Sequence, residues 1–290
     1  MNNLKAIVYS LRPYQWHKNA VLLAGVVFSR NFLNAGMVLK ALGGAGVFCL
    51  AAGTGYLIND LCDRTRDRLN PVKRGRPVAA GTLSRSLGAN VSVFLGVISI
   101  LLGCAVNLEF GLAVGGYLVL MLLYSMILKK IPFLDAVVIA SGFVIRAMAG
   151  AAAVKVPVSP WLVVCAFCAS LFIALGKRYR DSVMHRTGQL ESTAMAARYP
   201  LPLIRGSVIF SGAGAVLVYV LYTIASRTRL EFGSWHLVYS VPWVVLGVGR
   251  YLYLLIRKGA GGQPDKTLVT DPVMLIAILG WVVTCLVVIS

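Results

Sequence analysis

The chain has 290 residues, of which 58% are hydrophobic and 13% charged, whereas a soluble domain carries about 25% Asp, Glu, Lys and Arg. With a mean hydropathy of +0.80 there is more apolar surface than a globule of this size can hide, so an ordinary soluble domain is excluded and a bilayer is the expected solvent. The charge is lopsided, 28 Lys and Arg against 10 Asp and Glu for a formal +18, and such an excess serves nucleic acid, anionic lipid, anionic substrate or the orientation of a membrane protein.

In chain order, residues 4–14 form an amphipathic stretch suited to the membrane interface, with no signal-peptide cleavage pattern near it. Apolar stretches long enough for a core of about 30 Å follow at 18–34, 38–61, 86–106, 109–128, 132–154, 159–177, 203–226, 235–256 and 272–289. Nine membrane helices are therefore expected, in a single domain over 1–290, although Arg30 and Asn31 interrupt the first. The six cysteines lie mostly within apolar runs; Cys165 and Cys168 read as small lipid- or helix-facing residues rather than a redox pair. His17, His185 and His236 are scattered, which gives no support to zinc.

Sorting the cations by loop separates the sources of the charge. The N-terminus and the even-numbered loops hold 21 of the 28 basic residues, so the N-terminus and those loops are expected in the cytoplasm. Seven cations between Arg64 and Arg85 and six between Lys177 and Arg205 exceed what orientation requires. No helix-turn-helix or RNA-binding context surrounds them, which excludes nucleic acid as a partner.

The acids are scarce, and three of ten fall within eight residues: Asp60, Asp63 and Asp67 in an N-D-x-x-D-x-x-x-D pattern at the end of the second span. Spacings of three and four stack these carboxylates on one helical face, joined by Tyr56 and Asn59. Like charges so placed need a cation, and hard oxygen ligands beside a phosphate suit Mg²⁺; the simpler alternative is pairing with Arg64, Arg66 and Arg68. Pro71, Gly75, Pro77 and Gly81 then hold a loop that carries Lys73, Arg74 and Arg76, donors suited to phosphate. Acids with metal on one side and cations on the other describe a pyrophosphate site, with lipid headgroup contact as the alternative for the cations.

Further along, Arg146 lies eleven residues after Asp135, three turns later on the same face, and a charge at that depth favours a phosphate or polar cavity over a structural ion pair. Gly142 and Gly150 allow close approach beside it. Lys129 and Asp135 are either site residues or a surface pair. Trp16, Arg12 and Lys18 read as an interfacial anchor, and Asp271 as a helix start.

The N-D-x-x-D-x-x-x-D pattern followed by K-R-x-R-P at 73–77 resembles the signature of the UbiA-type membrane prenyltransferase superfamily. LRPYQWHKN at 11–19, residues 59–81, YSMILK at 124–129 with Pro132 and Asp135, GFVIRAMAG at 142–150, SPW at 159–161 and KRYRD at 177–181 together resemble its decaprenyl-phosphate phosphoribosyltransferase branch over nearly the whole chain. The resemblance implies an all-α membrane protein of nine helices around a central cavity that opens to the cytoplasm. It implies Mg²⁺ on Asp60, Asp63 and Asp67, and adds Lys18, Asn59, Tyr124, Lys129 and Asp135 to the substrate-binding set. Its implied partners are phosphoribosyl pyrophosphate, a polyprenyl phosphate in the bilayer and, by analogy alone, further copies of the chain.

One departure carries weight. Ordinary superfamily members place a second D-x-x-x-D where this chain has Lys177-Arg178-Tyr179-Arg180-Asp181. One acid among three cations favours a phosphate that no metal masks, so Lys177 and Arg178, with Arg146, join the expected binding set. A conventional prenyltransferase with an aromatic acceptor predicts the missing acid pair. A transporter predicts an internal repeat, which this sequence lacks.

Overall fold

A computed structural model describes residues 2–188, 196–257 and 270–289, and all regular structure among them is helical. Seven helices there are long and apolar enough to cross a membrane. The chain falls into two compact units, Met1–Ser159 and Pro160–Ser290.

The first unit starts with α1 (Asn3–Ser10), followed by a 3₁₀ run over Pro13–Leu23 and a five-residue helix α2 (Ala24–Phe28). The expected first crossing helix at 18–34 is thus not one α-helix. Its apolar residues are present, but Arg12 and Arg30 bracket the segment in left-handed conformations with φ of 52° and 60°. The segment also lies backbone to backbone on a later helix: a Cβ on Gly150 would sit 2.1 Å from the Leu22 carbonyl oxygen.

Helix α3 (Ala35–Leu69) is capped by the Asn34 side chain and runs 35 residues without a break. At 1.5 Å per residue it is about 50 Å long, well beyond a core of about 30 Å, so its last turns with the acids extend past the hydrocarbon. It stops where Pro71 disfavours helix in the preceding residue. The Asn70 side chain then accepts from the Val72 and Lys73 amides, folding the basic loop back on the helix end. The one-turn helix α4 (Pro77–Ala80) follows, with Pro at its first position and left-handed Gly81 at its end. Arg68 donates to the Ala79 carbonyl, and Val78 and Leu83 pack with Ala6 and Leu57. These contacts hold the loop against α1 and α3.

Helices α5 (Arg85–Val106), α6 (Leu108–Met126) and α7 (Leu134–Ala153) complete the unit. Their core is Phe48, Phe110, Val114, Tyr117 and Ala149 with Leu22, and the Phe48 ring lies 5.7 Å from Phe110 and 5.5 Å from Tyr117. Outward, α5 exposes Val93, Phe94, Val97 and Leu101, a face only lipid can solvate.

The second unit contains α8 (Pro160–Arg186), α9 (Leu201–Ile224), the short α10 (Ser226–Phe232), α11 (Val241–Arg257) and α12 (Pro272–Ile289). Phe172 meets Tyr251 edge to face at 5.3 Å. The Tyr219 hydroxyl bonds Ser240 and Trp281, each at 2.7 Å. Arg250 grips Asp271 through Nε and Nη2 at 3.1 and 2.8 Å. The helices match the expected spans from 38–61 onward within a few residues, apart from α3 and α8, which run eight or nine residues further, and α11, which starts six residues later because His236–Ser240 is a 3₁₀ turn. With the 3₁₀ turn His236–Ser240 that leads into it, α11 forms an apolar span of 22 residues, His236–Arg257, whereas α12 is apolar over Pro272–Val288 and falls short of the seven spans. Glu191, Lys258, Asp265 and Lys266 lie outside the described residues. All six cysteines are free.

Candidate active site

The long α3 does continue through the acids, and the three carboxylates find three cations. Asp60 and Asp67, each 1% exposed, are bridged by one atom: Arg76 Nη1 lies 2.9 Å from Asp60 Oδ1 and 2.8 Å from Asp67 Oδ2. Arg12 also donates from Nη2 to Asp60 Oδ1, and its guanidinium lies 5.0 Å from the centre of the Tyr56 ring. Asp63 turns instead to Lys129, whose Nζ is 2.8 Å from Asp63 Oδ2 and 2.9 Å from Asn59 Oδ1. Lys129 reaches them because a 3₁₀ turn, Leu128–Lys130, joins α6 to α7.

The near neighbours Arg64, Arg66 and Arg68, the simpler alternative to a metal, contribute little. Arg66 is 4.0 Å from Asp63 and half exposed, Arg68 is spent on Ala79, and Arg64 makes no ion pair among the described residues. Arg12 was read as an interfacial anchor; the structure makes it part of the acid cluster. Its signal in the sequence was its place in the LRPYQWHKN stretch, which composition alone does not distinguish from a lipid-facing cation.

Whether these residues suit a divalent cation can be tested on their oxygens. Asp60 Oδ2 and Asp67 Oδ1 are buried and accept no hydrogen bond, so each acid keeps one oxygen open. Three metal-ligating side chains do not converge on one point among the described residues, and Asp63 is occupied by Lys129. Two carboxylates with substrate phosphate oxygens and water match the habit of Mg²⁺, which rarely takes an all-protein cage. The oxygens of Asp60 and Asp67, with Asp63 beside them, are a donor set that fits such a cation.

Around this centre, Arg74 is exposed, Lys73 half-buried, and Lys18 donates to Gln15 Oε1 at 3.3 Å. Tyr124 is half-buried near the end of α6, while Asp135 is fully buried in the first turn of α7. Arg146, 5% exposed, is enclosed deeper in the unit: Nε donates to Asn19 Oδ1 at 2.8 Å, Nη1 to the Gly142 carbonyl at 3.0 Å and Nη2 to the Tyr117 hydroxyl at 2.7 Å. In the second unit Lys177 is exposed, and Arg178 Nη1 lies 3.5 Å from Asp181 Oδ2.

Comparison with known proteins gives the family. The UbiA prenyltransferase family model matches residues 20–287. The chain belongs to the UbiA prenyltransferase family. It is 32% identical to a decaprenyl-phosphate phosphoribosyltransferase of Corynebacterium glutamicum, across 97% of this chain and 86% of that one. A decaprenyl-phosphate phosphoribosyltransferase of Mycolicibacterium smegmatis is 31% identical across 98% and 92%. Among solved structures, a UbiA homolog from Archaeoglobus fulgidus bound to DMAPP and Mg²⁺ superposes with a TM-score of 0.72, covering 98% of each chain at 20% identity, which establishes the UbiA fold.

Proposed function

We propose that this UbiA-family protein is a membrane glycosyltransferase that moves 5-phosphoribose from phosphoribosyl pyrophosphate to a polyprenyl phosphate and releases pyrophosphate. The observation that carries the reading is a pairing of opposites in one chain. An acid cluster with two open buried oxygens lies at the end of α3, while KRYRD at 177–181 stands where a second acid pair would serve a prenyl diphosphate. Similarity over nearly the full length to decaprenyl-phosphate phosphoribosyltransferases supports the same substrates.

In this reaction a lipid phosphate oxygen bonds to C1 of the ribose as the bond from C1 to the pyrophosphate oxygen breaks. The acceptor is already an anion, so no strong general base is required. Held by Asp60 and Asp67, Mg²⁺ would supply the positive charge that stabilises the departing pyrophosphate. Lys73, Arg74 and Arg76 share that load from the loop, and Lys129 keeps Asp63 and Asn59 in register beside it. Lys177 and Arg178 serve a monophosphate.

Residues 1–290 are read as one functional domain with the N-terminus and the acid cluster on the cytoplasmic side, in accord with 21 of 28 cations falling in the N-terminus and even loops. The run Pro13–Leu23 with α2 extends about 30 Å, enough for a crossing, and with α12 brings the total to nine.

The test incubates purified protein and Mg²⁺ with labelled phosphoribosyl pyrophosphate and polyprenyl phosphate, and in parallel with a labelled prenyl diphosphate and a hydroxybenzoate. Label in the lipid of the first reaction is expected. Label only in the aromatic product of the second would overturn the assignment.

A further inference from the structure

We infer that Arg146 is a positioning residue, which pins the irregular segment 13–28 to α7 and so keeps Arg12 on Asp60; the inference rests on the Asp60 cluster being the reaction site. A guanidinium has three nitrogens, and each of those in Arg146 already donates within the first unit, to Asn19, Gly142 and Tyr117. The ring centres of Tyr117 and Phe143 lie 4.6 and 5.1 Å from its central carbon. No carboxylate pairs with it among the described residues. The cation is thus neutralised by dipoles and ring faces, an arrangement that fixes direction better than it fixes charge.

What Arg146 reaches is telling. Asn19 is 127 positions earlier in the chain, 2% exposed, and turned the same way by its own donation to Cys49 Sγ at 3.3 Å. It lies in the middle of the 3₁₀ run, a conformation whose hydrogen bonds are too weak to sustain eleven residues unaided. One turn beyond Arg146, Gly150 meets the Leu22 backbone, and Gly25 meets Ala151 with only 2.7 Å between a notional Cβ and the Ala151 nitrogen. Side-chain tether and backbone contacts therefore bind the same two segments. Seven residues upstream of Asn19, about 14 Å along a 3₁₀ rise, Arg12 leaves the run in a left-handed conformation with its guanidinium on Asp60. Slackening the run at Asn19 frees Arg12 to withdraw.

The experiment uses the full chain in lipid nanodiscs and compares Arg12→Ala, Arg146→Lys and the double variant, with Asn19→Leu as a second break in the tether should Arg146→Lys not fold. Apparent Tm is measured without metal, and Mn²⁺ alone is titrated by electron paramagnetic resonance. Arg12→Ala removes a cation that competes for Asp60, so Mn²⁺ should bind about tenfold more tightly. Arg146→Lys and Asn19→Leu should shift Mn²⁺ affinity in the same direction, and each combined with Arg12→Ala should add little to Arg12→Ala in either readout. Additive Tm losses with Mn²⁺ affinity untouched would make Arg146 a packing residue only. A raised KM for phosphoribosyl pyrophosphate with both other readouts unchanged would make it a substrate ligand. Either result overturns the inference. Failure of the site reading looks different: Asp60→Asn would leave Mn²⁺ binding intact while Arg12 and Arg146 remained coupled in Tm.

Discussion

Replacing Arg76 by Ala isolates the electrostatics of the acid cluster. One Nη1 atom of Arg76 serves two carboxylates that are each 1% exposed, while the Arg76 side chain itself is 23% exposed. Removing one partner of a buried ion pair costs about 3–5 kcal/mol, because the remaining charge is stranded. Asp60 retains Arg12, so the stranded group is Asp67, and the lower end, about 3 kcal/mol, applies. For a large domain this lowers Tm by about 6–12 °C. Thermal unfolding in detergent, followed with a thiol-reactive dye that reports the free cysteines, measures it. Two controls follow from the same geometry. Adding Asp67→Asn to Arg76→Ala removes the stranded charge and should recover most of the loss. Mg²⁺ at about 100 times its dissociation constant should return about 2.7 kcal/mol by setting positive charge against the open Asp60 and Asp67 oxygens. A Tm loss under about 2 °C, or a double variant no better than Arg76→Ala, would refute the reasoning.

Asp60→Asn and Asp67→Asn should each lower turnover at least 100-fold and weaken the Mg²⁺ dependence, each removing an open anionic oxygen; full activity in a Mg²⁺ titration would remove the proposed metal site. Lys177→Ala should raise the apparent KM for a phosphorylated substrate about tenfold with a smaller change in kcat, and unchanged kinetics would return that cluster to topology. Gly150→Ala should cost about 3 kcal/mol or more, since its Cβ would overlap the Leu22 carbonyl, whereas Gly43→Ala, with no neighbour within 4 Å, should leave Tm within about 2 °C. Hydrogen bonds from Arg250 hold the Asp271 carboxyl below the usual carboxylate range. A lowered folded-state pKa stabilises above the unfolded value and is lost as pH falls through the folded one, so Asp271→Asn should flatten the acid limb of the Tm profile below about pH 4.

The sequence announced the crossing helices because apolar length and hydropathy decide them locally. It announced the acid cluster because Asp60, Asp63 and Asp67 share a helical spacing in an acid-poor chain. The partners of those acids were not legible. Arg64 follows Asp63 directly and so lies about 100° around the helix, and Arg66 at three residues gets no nearer than 4.0 Å. The cations that do arrive come from the start of the chain, from the loop beyond the helix end and from the α6–α7 turn, all tertiary placements. The irregular run failed for the same reason: AVLLAGVVFS at 20–29 has the apolarity of a membrane helix. Its close partners, Gly150 and Arg146, lie more than a hundred residues away and cannot be read from the stretch itself.

The position of the cluster along the chain bears on how the protein is made. Arg12, Asp60, Asp67 and Arg76 all lie within the first 76 residues, so they emerge from the ribosome ahead of α5. The nascent segment can neutralise its own two buried acids while α3 is entering the bilayer, with help from nothing synthesised later. Asp63 alone waits, until Lys129 emerges some sixty residues on. The site is assembled largely in the order in which it is translated, and a truncated product ending beyond Arg76 already carries most of its charge balance.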